Sequence, residues 1–336
     1  MKILFYDVTA PSPYTRRTLL EQGLGGTQST IIRIAESLSA HHTIYIAQPE
    51  WPADHLETHG NVHYLSCSTA NTLSPDVVIL LRQTDWVKKV SDLFPHAKRY
   101  LWMHDTPAFS LYSARHCLHQ YGYDIIAVSD YHKQRIQYRL KGRWYQKPLS
   151  YFQKSVTIPI HVLHNPIDDD LSPDNTPRTP HKMLSFSWKG IPEMLALFEK
   201  VRATYPHYHL FIANYSPWDN TIHLPKHVTL LGSIPHKALI QHIRESFCVF
   251  HPQTTVPETF GLIYAESNAV GTPVLAHDFG AAREVLSDPT QLIDGHDVST
   301  LTAKIKEWQN HYPAIHQNPL FRLQKITNQW LALLDT

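Results

Sequence analysis

The sequence predicts an α/β fold built from two parallel-sheet domains in tandem, and three observations lead there. The chain has 336 residues, more than one ordinary core organises, so length favours two domains of roughly 150 residues each. Short β-branched runs alternate with helical periods, the pattern of a sheet wound in parallel. The alternation is interrupted once and then restarts.

In the first half the runs are "KILFYDV" (2–8), "TIYIAQ" (43–48), "VHYLSC" (62–67), "DVVILL" (76–81), "RYLWMHD" (99–105), "DIIAVSD" (124–130) and "HVLHNPI" (161–167). Most are apolar at both alternating positions, as strands covered on both faces should be. Between them, "GTQSTIIRIAESLS" sets Ile31, Ile32, Ala35 and Leu38 on one helical face, and "SDYHKQRIQYRL" starts with Ser129 or Asp130 as cap. The interruption, "DDDLSPDNTPRTP" (168–180), carries prolines and acids without an apolar run and reads as a linker. Strands follow at 183–187, 209–214, 228–233, 248–252 and 273–278, with helices near 191–205, 236–246 and 261–270. Helical segments at 298–312 and 317–334 end the chain. The expected domains are 1–167, a linker 168–180, 181–316, and a final helical segment 317–336. Ligands of such sheets sit beyond the carboxyl ends of the strands, so the two domains should face a central cleft.

Composition limits the function classes. Lys plus Arg (30) nearly balances Asp plus Glu (29), which argues against a nucleic-acid partner. Three cysteines, Cys67, Cys117 and Cys248, are odd in number and lie in apolar segments, so a reduced, cytoplasmic setting is expected. The start "MKILFYDV" is too short and too interrupted for a signal peptide and reads as a strand. No stretch reaches the roughly 18 apolar residues of a membrane span.

Chemistry concentrates in "PETFGLIYAESNAVGTPVLA" (257–276). A helix starting near Gly261 or Leu262 would aim unpaired N–H groups at an anion, and Gly261 would let a phosphate approach. Glu258 then precedes the helix and Glu266 lies inside it, where a carboxylate suits a vicinal diol such as a ribose. The spacing alone equally admits a helix-start role for Glu258 and a solvated face for Glu266. Gly25 and Gly26 offer bare backbone N–H groups or simply a tight turn. His104 ends a strand, where ligands collect, although most of the 24 histidines should be structural. His55, His59 and His63 have a spacing of four, but Gly60 and Asn61 break any helix and no zincin-type acid follows, so no metal site is expected. The run 139–155 mixes basic and aromatic residues, which suits an anionic membrane surface, a phosphate- or sugar-bearing acceptor, single-stranded nucleic acid, or an ordinary exposed loop.

"ETFGLIYAESNAVGTPVLA" followed by "DFGAAREVL" (278–286) resembles the glutamate-x7-glutamate signature of the retaining family-four glycosyltransferases, which have the two-domain GT-B fold. The resemblance extends over "LGGTQSTIIRIAESLS" (24–39), "LWMHDTP" (101–107), "IIAVSDYHKQRI" (125–136), "VLHNPID" (162–168) and "SFSWKGIPEML" (185–195). It implies two Rossmann-like domains, a C-terminal helix packing back toward the N-terminal one, and transfer of a sugar from a UDP- or GDP-linked donor. It assigns Glu266 to the ribose hydroxyls and Glu258 to the transferred sugar. Backbone groups of Phe260, Gly261, Leu262 and Ile263 would bind sugar and diphosphate, Gly25 and Gly26 would line the donor site, and Lys189 would neutralise the departing diphosphate. His104 would lie at the sugar's reactive face.

The implied reaction retains anomeric configuration without metal or cofactor, the diphosphate oxygen taking the acceptor's proton. The acceptor would be a glycan, a lipid-linked sugar or a small molecule, with peripheral attachment to a membrane's inner face through 139–155. Two departures from the family pattern stand out: no arginine lies between Lys182 and Lys189, and Ala281 replaces the second glycine after Gly280. A sugar-nucleotide 2-epimerase of similar fold and an inactive nucleotide-sugar-binding protein are the alternative readings.

Overall fold

The computed structural model describes residues 1–52, 55–142, 156–186, 190–213 and 224–335. They form two compact units. The first comprises Met1–Arg16, Thr27–Pro166 and Leu323–Thr336, and the second Arg17–Gly26 and Ile167–Arg322.

The first unit is built on β1 (Lys2–Tyr6), β2 (Thr43–Gln48), β3 (Glu57–His59), β4 (Val62–Ser66), β5 (Val77–Leu81), β6 (Lys98–Trp102), β7 (Tyr123–Ala127) and β8 (Ile160–Val162). Their order is β3-β4-β2-β1-β5-β6-β7-β8, and every pairing is parallel except β3 with β4. Ile3, Leu4, Phe5 and all of β5 are buried, because helices cover both faces of a parallel sheet. Ile31, Ile32, Ala35 and Leu38 of the Gly26–Leu38 helix have no exposed surface. Ser129 caps the Asp130–Lys141 helix by accepting from His132 N at 2.9 Å. β3 is absent from the sequence reading. It turns the His55–His63 stretch into a hairpin, with His63 Nδ1 bonded to Thr58 Oγ1 and the His55 ring stacked on Trp51.

The second unit contains β9 (Thr179–Phe186), β10 (His209–Ala213), β11 (Val228–Gly232), β12 (Ser246–His251), β13 (Val274–His277) and β14 (Leu292–Ile293). Its parallel order is β11-β10-β9-β12-β13-β14. Both sheets thus reverse winding direction next to their first strand, between β1 and β5 and between β9 and β12. In open α/β sheets that switch point is where ligands bind.

Two segments differ from expectation. Residues 168–180 are packed into the second unit: Arg322 donates to Asp168 O and Leu171 O, Arg244 to Ser172 O, and Arg178 to Gly271 O. These arginine bonds, three of them to backbone carbonyls of the stretch, fix a segment whose composition suggests a free linker. Residues 17–26 likewise group with the second unit although 27–38 continue in the first.

The last helix, Leu323–Leu334, belongs to the first unit. Trp330 is fully buried, 4.8 Å from Trp102 and 6.2 Å from Phe5 between ring centroids. Tyr100 donates from its hydroxyl to Leu333 O. The tail therefore completes the core of a unit whose other residues lie before 167. Trp330→Ala should cost about 3–5 kcal/mol in urea unfolding of the whole chain. A loss below about 1 kcal/mol would mean that the tail only rests on that core.

Candidate functional site

The site in the second unit is assembled at the carboxyl end of β12. His251 ends the strand and the chain continues through a loop to the Leu262–Ala269 helix. Gln253, fully buried, accepts at Oε1 from the backbone N–H groups of Thr255 and Val256. Glu193, in the helix after β9, accepts from Thr254 N and from Thr254 Oγ1. These bonds hold the Glu193 carboxyl below its ordinary range although burial opposes them. The loop is tied at its base to the neighbouring βα unit.

The far end of the loop is tied to the segment after β13. Ala281 N donates to Glu258 O at 3.0 Å. Gly280 has φ 65°, and a Cβ there would lie 2.8 Å from Glu258 O and 3.0 Å from Glu258 N. Only glycine fits both the backbone conformation and the close approach. Ala281, in place of the family's second glycine, is fully buried and has negative φ, so its methyl group is accommodated.

Glu258 is 8% exposed, with its carboxylate 4.0 Å from His251 Nε2. Gly261 is the N-cap of the following helix with φ 85°, and a Cβ there would meet the Tyr264 ring at 2.6 Å. Tyr264 N bonds back to Gly261 O, and the N–H groups of Leu262 and Ile263 ahead of it have no i−4 partner within the helix, which is the arrangement that favours an anion. Burial, and then the nearby Glu258 charge, push the Tyr264 phenol well above its usual range.

Glu266 is 4% exposed, which excludes a solvated face. Its Oε1 is 2.7 Å from His236 Nε2, and the other face of that imidazole is turned to Asp168, 3.8 Å from Nδ1. His236 fixes the rotamer of the carboxylate.

Of the sequence-predicted residues, Glu258, Phe260, Gly261, Leu262, Ile263 and Glu266 are thus brought into one loop and helix start. Phe260 and Ile263 direct their side chains into the core, Phe260 edge-on to Phe321, so only their backbones are offered. Gly25 and Gly26 are exposed in the 17–26 segment. A Cβ at Gly26 would lie 3.2 Å from Leu262 Cδ1, so this glycine adjoins the helix start. Lys189 lies outside the described residues, as do 143–155 of the basic-aromatic run. Lys182 is engaged by Glu245 and His242. His236, His251, Gln253 and Glu193 escape a reading of the sequence because nothing in their local pattern marks them. The one available signal is that His251 and Gln253 flank the end of a predicted strand.

His104 lies in the first unit, just beyond β6 and 6% exposed, its ring 4.5 Å from that of Trp102. Burial, then the positive Arg82 and the neighbouring His132 ring, hold its pKa well below the ordinary value. Arg82 follows β5 with φ 61°, a conformation uncommon outside glycine. Its guanidinium donates to Thr9 Oγ1 at 2.6 Å and lies 3.5 Å from the fully buried Asp7 carboxylate and 3.7 Å from Asp105. Asp7 also accepts from Thr9 N and the Tyr14 hydroxyl. His132 Nδ1 accepts from Val128 N, so Nε2 carries the proton and donates to Asp105 O. At the switch point of this sheet the chain thus holds a compensated charge pair beside neutral imidazoles.

Residues 184–317 match the family described as glycosyl transferases group 1. This part of the chain therefore matches a domain of that group, in agreement with the resemblance read from the motifs. Among solved structures it is similar to a sucrose-phosphate synthase from Thermosynechococcus elongatus, with TM-score 0.70, 13% identity, and coverage of 99% of this chain and 98% of that one. A glycosyltransferase from Rickettsia africae aligns with TM-score 0.65 and 15% identity over 99% and 97%. An alpha-glucosyltransferase in complex with UDP and a 13-mer DNA aligns with TM-score 0.64 and 12% identity over 100% and 99%. At these identities the likeness establishes the fold, which is GT-B. No curated protein matches the chain. Among the described residues no helix is long and apolar enough to cross a membrane.

Burial lowers the His132 pKa from 6.5 to about 4. Between those values the unfolded chain binds the proton and the folded one does not, so stability must fall as pH is lowered through this window. The loss attributable to His132 should reach about 3 kcal/mol near pH 4. His132→Gln should flatten the dependence of the urea midpoint on pH between about 6.5 and 4; parallel wild-type and variant curves would contradict the assignment.

Proposed function

We propose that the chain transfers a sugar from a nucleoside-diphosphate donor, UDP- or GDP-linked, to a glycan, lipid-linked or small-molecule acceptor with retention of anomeric configuration. The observation that carries this reading is the pair of buried carboxylates, Glu258 and Glu266, at the two sides of a glycine-capped helix start. A ribose diol donates to the Glu266 carboxylate, whose rotamer His236 already fixes. The diphosphate takes the N–H groups at the start of the Leu262–Ala269 helix, and Lys189 adds the positive charge that the leaving group needs as its bond to the sugar breaks. The N–H groups of the helix start are set before reaction, so they stabilise charge as it develops.

Glu258 serves the hydroxyls of the transferred sugar. His104, neutral at physiological pH because of its burial, accepts or donates a hydrogen bond at the sugar without adding a positive charge that would oppose an oxocarbenium-like centre. The acceptor hydroxyl attacks the anomeric carbon on the face the diphosphate leaves, and its proton passes to the leaving diphosphate oxygen. No covalent enzyme intermediate and no metal enters this scheme. The run 139–155 supports a lipid-linked acceptor met at the inner face of a membrane.

Titration calorimetry of uridine, guanosine, adenosine, cytidine and thymidine diphosphates should find one that binds. Glu266→Ala should weaken it by about 1.5–3 kcal/mol for each hydrogen bond lost. Failure of every diphosphate to bind, or equal binding by the variant, would overturn the donor site.

A further inference from the structure

A cluster of metal-ligating side chains lies outside the donor site. β13 and β14 are adjacent parallel strands, with Ala276 opposite Leu292 and His277 opposite Ile293. Their chains therefore leave the sheet side by side, His277 at the end of one and Asp294 and His296 in the loop after the other. One ligand atom from each of the three side chains lies within 4.8 Å of the other two. The His277 and His296 rings meet edge to face at 5.2 Å. All three line a cavity of about 530 Å3.

We propose that His277, Asp294 and His296 bind a zinc-type divalent transition metal ion. Two imidazoles and one carboxylate suit such an ion and disfavour magnesium or calcium, which prefer oxygen throughout. Ligand atoms around tetrahedral zinc stand roughly 3.3 Å apart, from bond lengths near 2.0–2.1 Å. Asp294 and His296 are exposed; Asp294 Oδ1 accepts from His296 N at 2.9 Å and lies 3.9 Å from His277 Nδ1, so the carboxylate must exchange that backbone bond for the ion by a short rotation.

The surroundings of His277 already hold its ring for this task. Nδ1 is 3.3 Å from Ile293 O and 3.1 Å from Gly295 N. The first contact requires a proton on Nδ1 and the second forbids it, so the ring serves either partner by changing tautomer. A metal ion on Nε2 selects the form in which Nδ1–H donates to Ile293 O, the usual outer support of a ligating histidine. The adjacent Asp278 is engaged by Arg283, which leaves three protein ligands and an open fourth position.

The ion would tie together the two loops that support Glu258. A Cβ at Gly295 would lie 2.1 Å from Pro252 O, and Gly280 packs against the Glu258 backbone. Occupancy therefore stiffens the base of the donor loop without touching donor or acceptor.

The test is calorimetric titration of zinc into chelator-stripped full-length chain, with no nucleotide present, so it stands or falls apart from the donor reading. Because the chain has 24 histidines, the readout is the difference between wild type and variants. Wild type should bind one equivalent of zinc that His296→Ala loses or binds at least about tenfold more weakly, and zinc should raise the Tm of wild type alone. His296 is exposed, so this variant keeps its fold; His277→Ala should give the same loss. Equal stoichiometry and affinity in wild type and His296→Ala, or no zinc uptake by wild type, would overturn the site.

Discussion

The proposed donor site depends on the contact between two loops, the Ala281 N–H bond to Glu258 O with the bare Cα of Gly280 against the same peptide. A carboxylate that is 8% exposed loses most of its hydration, so its position must be enforced by the fold. The backbone enforces it here. Side-chain bonds from Gln253 and Glu193 hold the near end of the loop, and the glycine contact holds the far end. Between them Gly261, with φ 85°, turns the chain into the helix that follows.

The first unit solves a related problem by different means. Its switch point carries a buried charge, Asp7, compensated by Arg82, Thr9 and Tyr14. Arg82 adopts a left-handed backbone to reach that carboxylate, a strain of order 1–3 kcal/mol that the surrounding bonds must offset. The consequence is chemical: with Arg82 beside it and water excluded, His104 stays neutral.

Much of this was legible in the sequence because parallel strands covered on both faces read as unbroken apolar runs, and the β9 to β13 runs stand between clear helical periods. β3 and β14 escaped, being edge strands of three and two residues, too short to carry a period. The spacing of Glu258 and Glu266 was visible, but their burial was not. That burial excludes a solvated face, and it comes from strands and loops distant in the chain. His236 and His251 could not be chosen among 24 histidines, since their roles arise from neighbours 30 and 7 positions away. The 168–180 segment misled for the same reason: its proline-rich composition describes a linker, while arginines at 244 and 322 hold it in place.

The claim that the Gly280 contact sets the chemistry is tested most directly by Gly280→Ala. Turnover of the donor found for the wild-type chain should be measured together with Tm, so that a folded but misaligned site is recognised. A Cβ 2.8 Å from Glu258 O should displace the loop and lower kcat on the order of 100-fold, as a displacement near 1 Å at a reacting centre does, while the chain stays folded. Wild-type kcat in a folded Gly280→Ala chain would contradict it.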